Sequence, residues 1–254
     1  MVLRLIEEGR PLDEIVFFDT GWEFPQMYDH IAKFESFTGR TVTAVHSPQP
    51  FSFWMFDCRV KASKGPQKGQ VHRIGNGWPS PVRRWCTRQK VRAIERHTKG
   101  AHQYVGIAAD EAHRRATGYL SRPNVSFPLV EWGMTEADCL KMCFDLGFDW
   151  GGLYDRFDRV SCFCCSLKGL DDYRTLRRDF PPLWERMIEM GDNVPSAEGR
   201  RFHHGKTVRE LEARFAQEDE AEARQGRLGL CMANNSIIDT PNPPPPVETE
   251  KDKA

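Results

Sequence analysis

Lys plus Arg and Asp plus Glu are equal at 36 each in 254 residues, so the net charge is zero, which argues against a general polyanion binder. With 39% hydrophobic and 11% aromatic residues the chain can bury a core, and no stretch approaches the roughly 18 consecutive apolar residues of a membrane span. Glu7 and Glu8 fall where a secretory signal would carry its apolar run, so a cytoplasmic protein is expected.

In chain order, residues 2–8 have the apolar spacing of the last turns of an amphipathic helix, stopped by Gly9. Glu14–Asp19 is a short run of β-branched and aromatic residues, the pattern of a buried strand in a parallel sheet. Phe24, Tyr28, Ile31, Phe34 and Phe37 recur at helical steps between Pro25 and Gly39, and Thr41–His46 gives a further strand. Helix, strand, helix, strand is the order of crossover connections and of an α/β domain. Residues 47–81 form a long Gly-, Pro-, Lys- and aromatic-rich loop, followed by a helix over 82–97 and a strand over 102–107. A turn and helix open at Ala108–Glu111, and Phe127–Trp132 is expected as the last strand.

Beyond residue 132 the pattern changes to short helices. Thr135 with Asp138 makes a capping-box start for a helix to Gly147, placing Cys139 and Cys143 one turn apart on one face. Further helices are expected near 167–177, 181–190 and 207–222. The proline run from Pro241 and its charged continuation cannot pack a core. The domain division is therefore 1–132 for the α/β part, 133–228 for a helical cysteine-bearing lobe, and 229–254 for a disordered Pro-rich tail.

Charge is unevenly spread. Between Arg59 and Gly100 twelve Lys or Arg face one acid, Glu95, a local charge of +11. Such a segment is either a solvated face balanced by acids elsewhere or a platform for anions, including a nucleic-acid phosphate backbone. Trp54, Trp78 and Trp85 flank it, suited either to stacking on a base or to core packing.

Six of the eight cysteines fall in three clusters: Cys86; Cys139 with Cys143; and Cys162, Cys164 and Cys165, while Cys58 and Cys231 stand outside them. A reduced compartment turns such clusters toward metal rather than disulfides. The best quartet is Cys86, Cys143, Cys162 and Cys165, with Cys139 and Cys164 as alternates. Four thiolates suit zinc or an iron–sulfur cluster of the 4Fe-4S type, and the competing reading is of small buried hydrophobes. His203-His204 reads as surface rather than ligand.

Four stretches in order resemble the phosphoadenosine phosphosulfate reductase family of the adenine nucleotide alpha hydrolase (PP-loop) superfamily, in the form common in phage and bacterial genomes. They are Phe17-Phe18-Asp19-Thr20-Gly21-Trp22-Glu23-Phe24-Pro25; Gly77-Trp78-Pro79 with Arg84-Trp85-Cys86-Thr87 and Lys90; Gly106-Ile107-Ala108-Ala109-Asp110-Glu111 with Arg114; and Gly152-Leu153-Tyr154 leading to Cys162 and Cys165. The resemblance implies an open, mostly parallel sheet with an adenine nucleotide, or its sulfate derivative, at the strand ends. It gives nucleotide- and anion-binding roles to Asp19, Thr20, Gly21, Arg84, Lys90, Asp110, Glu111 and Arg114, and an activity in reduction of a sulfur-containing nucleotide or in sulfur transfer. Strand carboxyl ends are where ligands bind in such sheets, and Arg and Lys suit anionic groups.

Two departures stand beside these matches. The family's first strand and Ser-Gly-Gly-x-Asp-Ser phosphate loop are not found, and Met1 falls inside the helix that follows that loop. The expectation is thus of a fold lacking its first strand, N-terminally truncated and impaired in binding phosphate at that helix. The family's C-terminal Glu-Cys-Gly-x-x-His nucleophile is also missing, since the last cysteine sits in Gly229-Leu230-Cys231-Met232. Thioredoxin-linked sulfate reduction is not expected.

Overall fold

A computed structural model describes residues 1–116 and 118–235. Two compact units are distinguished, Met1–Arg209 and the chain from Glu210 onward.

The first unit opens with helix α1 (Val2–Glu7), whose Leu5 is fully buried. Strand β1 (Ile15–Phe18), helix α2 (Pro25–Thr38) and strand β2 (Val42–Val45) form a β-α-β unit, with β1 and β2 parallel from Ile15 opposite Val42 to Phe18 opposite Val45. Proline at the first helical position and Gly39 in the left-handed conformation at the other end bound α2 as its sequence requires. Parallel strands need such a crossover, and both carboxyl ends therefore emerge on the same side.

Residues 47–81 are more ordered than a loop. A π-helical turn (Phe53–Asp57) leads into strand β3 (Arg59–Lys61), paired antiparallel with β4 (Val71–Ile74) in a hairpin. Helix α3 (Trp85–His97) starts three residues later than expected, because Arg84 has non-helical dihedrals and Ser80 and Arg83 close a turn with reciprocal backbone hydrogen bonds. The strand expected over 102–107 is reduced to β5 (Gln103–Tyr104), parallel to β6 (Val125–Ser126). Two 3-10 segments, Ala109–Ala116 and Gly118–Ser121, lie between them.

Phe127–Trp132 is not a strand. Pro128 opens a one-turn helix, α4 (Pro128–Glu131), since proline has no N–H for a ladder and suits a helix start. Instead of one open sheet, the described residues carry three two-stranded sheets, two parallel and one antiparallel. The ladders are four residues or fewer.

Helix α5 (Glu136–Asp145) has the Thr135–Asp138 capping box in full, with both reciprocal hydrogen bonds formed. A 3-10 turn (Trp150–Gly152), helix α6 (Leu170–Asp179) and helix α7 (Pro181–Asn193) follow. Helix α8 (Val208–Asn235) runs beyond the expected 222 and through residues 229–235, which the sequence reading gave to the tail. The proline run lies outside the described residues. Within the second unit, Arg214 and Glu218 pair at 2.7 Å along α8.

Aromatic clusters make the core of the first unit. Phe18, Trp22, Phe51 and Trp85 pack with ring centroids 5.2–6.2 Å apart, joining the end of β1 to the head of α3. Phe24, Phe157 and Phe180 form a second cluster, and Trp78, Phe202 and Tyr173 a third. Trp78 and Trp85 are thus core residues, fully and almost fully buried, which removes them as stacking platforms; Trp54 is half-buried.

Candidate functional site at the carboxyl end of β1

The chain leaves β1 through Asp19, whose N–H continues the ladder to the Val45 carbonyl at 3.0 Å. Asp19 Oδ1 accepts hydrogen bonds from the Gly21 N–H at 2.7 Å and the Tyr28 hydroxyl at 2.9 Å, while Oδ2 lies 3.9 Å from Nδ1 of His46, just past β2. Gly21 supplies the left-handed backbone that this tight turn needs (φ +71°). Thr20 Oγ1 accepts from the Trp22 N–H at 3.0 Å and donates to Glu23 Oε1 at 2.7 Å.

A second turn docks on the first. Cys162 Sγ lies 3.4 Å from Thr20 Oγ1 and 3.5 Å from Glu23 Oε1, and the Phe163 N–H donates to the Trp22 carbonyl at 3.0 Å. The Cys165 N–H returns to the Cys162 carbonyl at 3.1 Å, so the two-residue gap folds as one tight turn. Tyr173 Oη anchors it from α6 by donating to the Cys165 carbonyl at 2.8 Å. Phe163 and Cys164 are buried, which explains why an apolar residue and a third cysteine stand inside the turn.

Burial pushes the Cys162 thiol far above its ordinary range, and the Glu23 carboxylate and Cys165 push it further. Cys164 is raised strongly for the same first reason. Cys86, in the first turn of α3, is raised by burial and also feels the charge of Cys165. Lys168 closes the far side of the turn. It is 3% exposed, donates to the Arg159 carbonyl at 2.8 Å, and sits 4.5 Å above the Phe157 ring. Burial lowers its pKa, while Asp172, Cys165 and Cys162 act to raise it.

The other expected site residues are distributed as follows. Asp19, Thr20 and Gly21 share the β1 turn with Cys162, and Cys165 and Cys86 adjoin it. Arg84 donates to the Pro81 carbonyl at 3.1 Å before α3, and Lys90 is exposed on that helix. Asp110 accepts from the Glu136 N–H at 3.3 Å, capping the start of α5, and Glu111 takes Arg114 in a two-pronged pair at 2.7 and 2.8 Å. Cys143 keeps other company: its thiol is raised by burial, and its charge interacts with the Met1 amino group and with Cys139.

The seven described cysteines, Cys58, Cys86, Cys139, Cys143, Cys162, Cys164 and Cys165, are free thiols. Among the described residues no three His, Cys, Asp or Glu side chains form a group able to hold a metal ion. Cys86 and Cys162 each feel the charge of Cys165, whereas Cys143 interacts with Cys139 and the Met1 amino group. Cys231 has its side chain outside the description.

Sequence reasoning assigned no role to Glu23, Tyr28 or Lys168, which tie this region together. Glu23 was legible as the first acid after Asp-Thr-Gly. Nothing in the sequence marks Lys168 as buried.

The model of the phosphoadenosine phosphosulfate reductase domain matches residues 1–168, a span from α1 to the end of the cysteine turn. The chain belongs to that family. It is also similar to two proteins of Methanocaldococcus jannaschii, uncharacterized protein MJ0066 (24% identical over 200 residues, 73% of this chain and 37% of the relative) and uncharacterized protein MJ0973 (20% identical over 189 residues, 70% and 41%). The chain thus spans about two fifths of the length of these curated relatives. No solved structure matches it. No helix among the described residues is long and apolar enough to cross a membrane.

Proposed function

We propose that this phosphoadenosine phosphosulfate reductase-like domain binds a sulfur-containing adenine nucleotide at the carboxyl ends of β1 and β2 and acts in its reduction or in sulfur transfer. The observation that carries the proposal is the docking of the Cys162–Cys165 turn on the Asp19–Glu23 turn, with Cys162 Sγ 3.4 Å from Thr20 Oγ1. Thiols are thereby brought to the strand ends, where an open α/β fold receives ligands.

In this reading Asp19 and Gly21 shape the turn facing the adenosine part, and Arg84, just before α3, and Lys90, on it, attract the phosphate and sulfate. Burial first and Glu23 second hold Cys162 protonated, so a proton acceptor must take its proton before the thiol reacts. The protein supplies position, charge and a dry, protonated thiol.

Isothermal titration with adenosine 5′-phosphosulfate and with adenosine tests the proposal. Saturable binding of the phosphosulfate is expected, weakened at least about tenfold in Arg84→Ala or Lys90→Ala, since charge-assisted hydrogen bonds contribute about 1.5–3 kcal/mol. Both side chains are exposed, so the fold is kept. Absence of binding, or equal affinity in the variants, overturns it.

A further inference from the structure

The basic segment is not absorbed by that site. Hairpin β3–β4 and the start of α3 enclose a cleft of about 460 Å³ whose cationic lining comprises Lys61, Lys64, Arg73, Arg83 and Arg88, with His72 beside them. Arg73 lines the cleft, and its buried Nε has no hydrogen-bond partner among the described residues. Burial and the neighbouring Arg83 both act against its charge. The acid at hand, Glu198, sits 3.1 Å from Arg83.

The positive charge continues beyond the cleft. Arg88 belongs both to its lining and to α3, where Arg88, Arg92 and Arg96 are exposed at four-residue steps. That spacing puts them on one face, extending over about 12 Å at 1.5 Å per residue. Glu95, the single acid of the segment, is drawn to Arg122 at 2.6 Å. A lone phosphate or mononucleotide would fill the cleft but leave this row unused. About 12 Å corresponds to three or four nucleotides at 3.4 Å per step along a strand.

We infer that the cleft between hairpin β3–β4 and α3, continued along Arg88, Arg92 and Arg96, is a binding track for the phosphate backbone of a nucleic acid, separate from the β1 site. Binding is sequence-tolerant, because the lining offers charge and few base-reading groups. The protein's zero net charge makes the attraction local to this face.

Fluorescence anisotropy tests it, using the full chain with labelled 20-nucleotide single-stranded RNA, single-stranded DNA and duplex DNA in 50–300 mM KCl. Binding to any of the three is expected, with affinity falling steeply with salt, and the tightest names the natural form. Lys61→Ala/Lys64→Ala and Arg92→Ala/Arg96→Ala alter exposed side chains only. Each pair is expected to weaken binding at least about tenfold and to reduce the salt slope by about 1.4–1.8, from about 0.7–0.9 per phosphate contact. Three results overturn the inference: no binding at 50 mM KCl, wild-type affinity and slope in both variants, or displacement by adenosine monophosphate at equal phosphate concentration. Adenosine 5′-phosphosulfate titrations on the same variants keep this outcome apart from that of the β1 site, since neither pair includes Arg84 or Lys90.

Discussion

Gly77→Ala is the sharpest test of how the head of α3 is held. Gly77 has φ +66°, and an added Cβ would come within 2.4 Å of the Gly199 backbone. The left-handed conformation costs a non-glycine residue about 1–2 kcal/mol. Forcing a methyl group against backbone that cannot rotate away adds about 1–3 kcal/mol, giving about 2–5 kcal/mol in all. Gly100→Ala isolates the first contribution, because Gly100 has φ +84° and nothing within 4 Å of the new Cβ. Guanidinium denaturation followed by tryptophan fluorescence should therefore show Gly77→Ala less stable than Gly100→Ala by about 1–3 kcal/mol. The effect should reach the β1 site as well, since the Gly77 carbonyl accepts from the Trp85 indole at 3.0 Å and so positions Arg84 and Cys86 on either side. Gly77→Ala and Gly100→Ala of equal stability, within about 0.5 kcal/mol, would refute the packing argument.

Two further predictions concern the thiols. Glu23→Gln removes a negative charge 3.5 Å from Cys162, so alkylation of Cys162, followed across pH by peptide mass spectrometry, should reach its plateau at lower pH than in the wild type; an unchanged profile would show that burial alone sets this thiol. Cys58, Cys86, Cys139, Cys143, Cys162 and Cys164 all have raised pKa values in the fold. The unfolded chain then loses protons first, from about pH 8.5, so the folded state binds more protons and stability must fall as pH rises. Denaturation midpoints should be level between pH 7 and 8 and drop by pH 9.5, whereas a midpoint rising over that interval would contradict the sign.

Much of this architecture was legible locally. β1, α2 and β2 follow from a β-branched run, a proline start and a glycine stop, all of which act within a few residues. The α5 capping box formed as its two side chains require. The strand at 127–132 failed because apolar character was weighed above the missing N–H of Pro128, and the hairpin at 59–74 was hidden by a basic composition that suggests loop. The Asp19-Thr20-Gly21 turn and the Cys162–Cys165 turn were each visible as motifs. Their contact through Thr20 and Glu23 was not, since it joins positions 142 and 139 residues apart. Cys143 shows the same limit in reverse: helical spacing placed it correctly beside Cys139, but which face of the fold that pair meets depends on tertiary packing.

The central claim, a nucleotide site bounded by the cysteine turn at the end of β1, is tested most directly by ligand protection of individual thiols. Alkylation of the native protein with and without adenosine 5′-phosphosulfate, read peptide by peptide, should show Cys86 and Cys162 slowed by the ligand and Cys139 and Cys143 unchanged. Protection confined to Cys139 and Cys143, or the same rates at all four with saturating ligand present, would contradict the account.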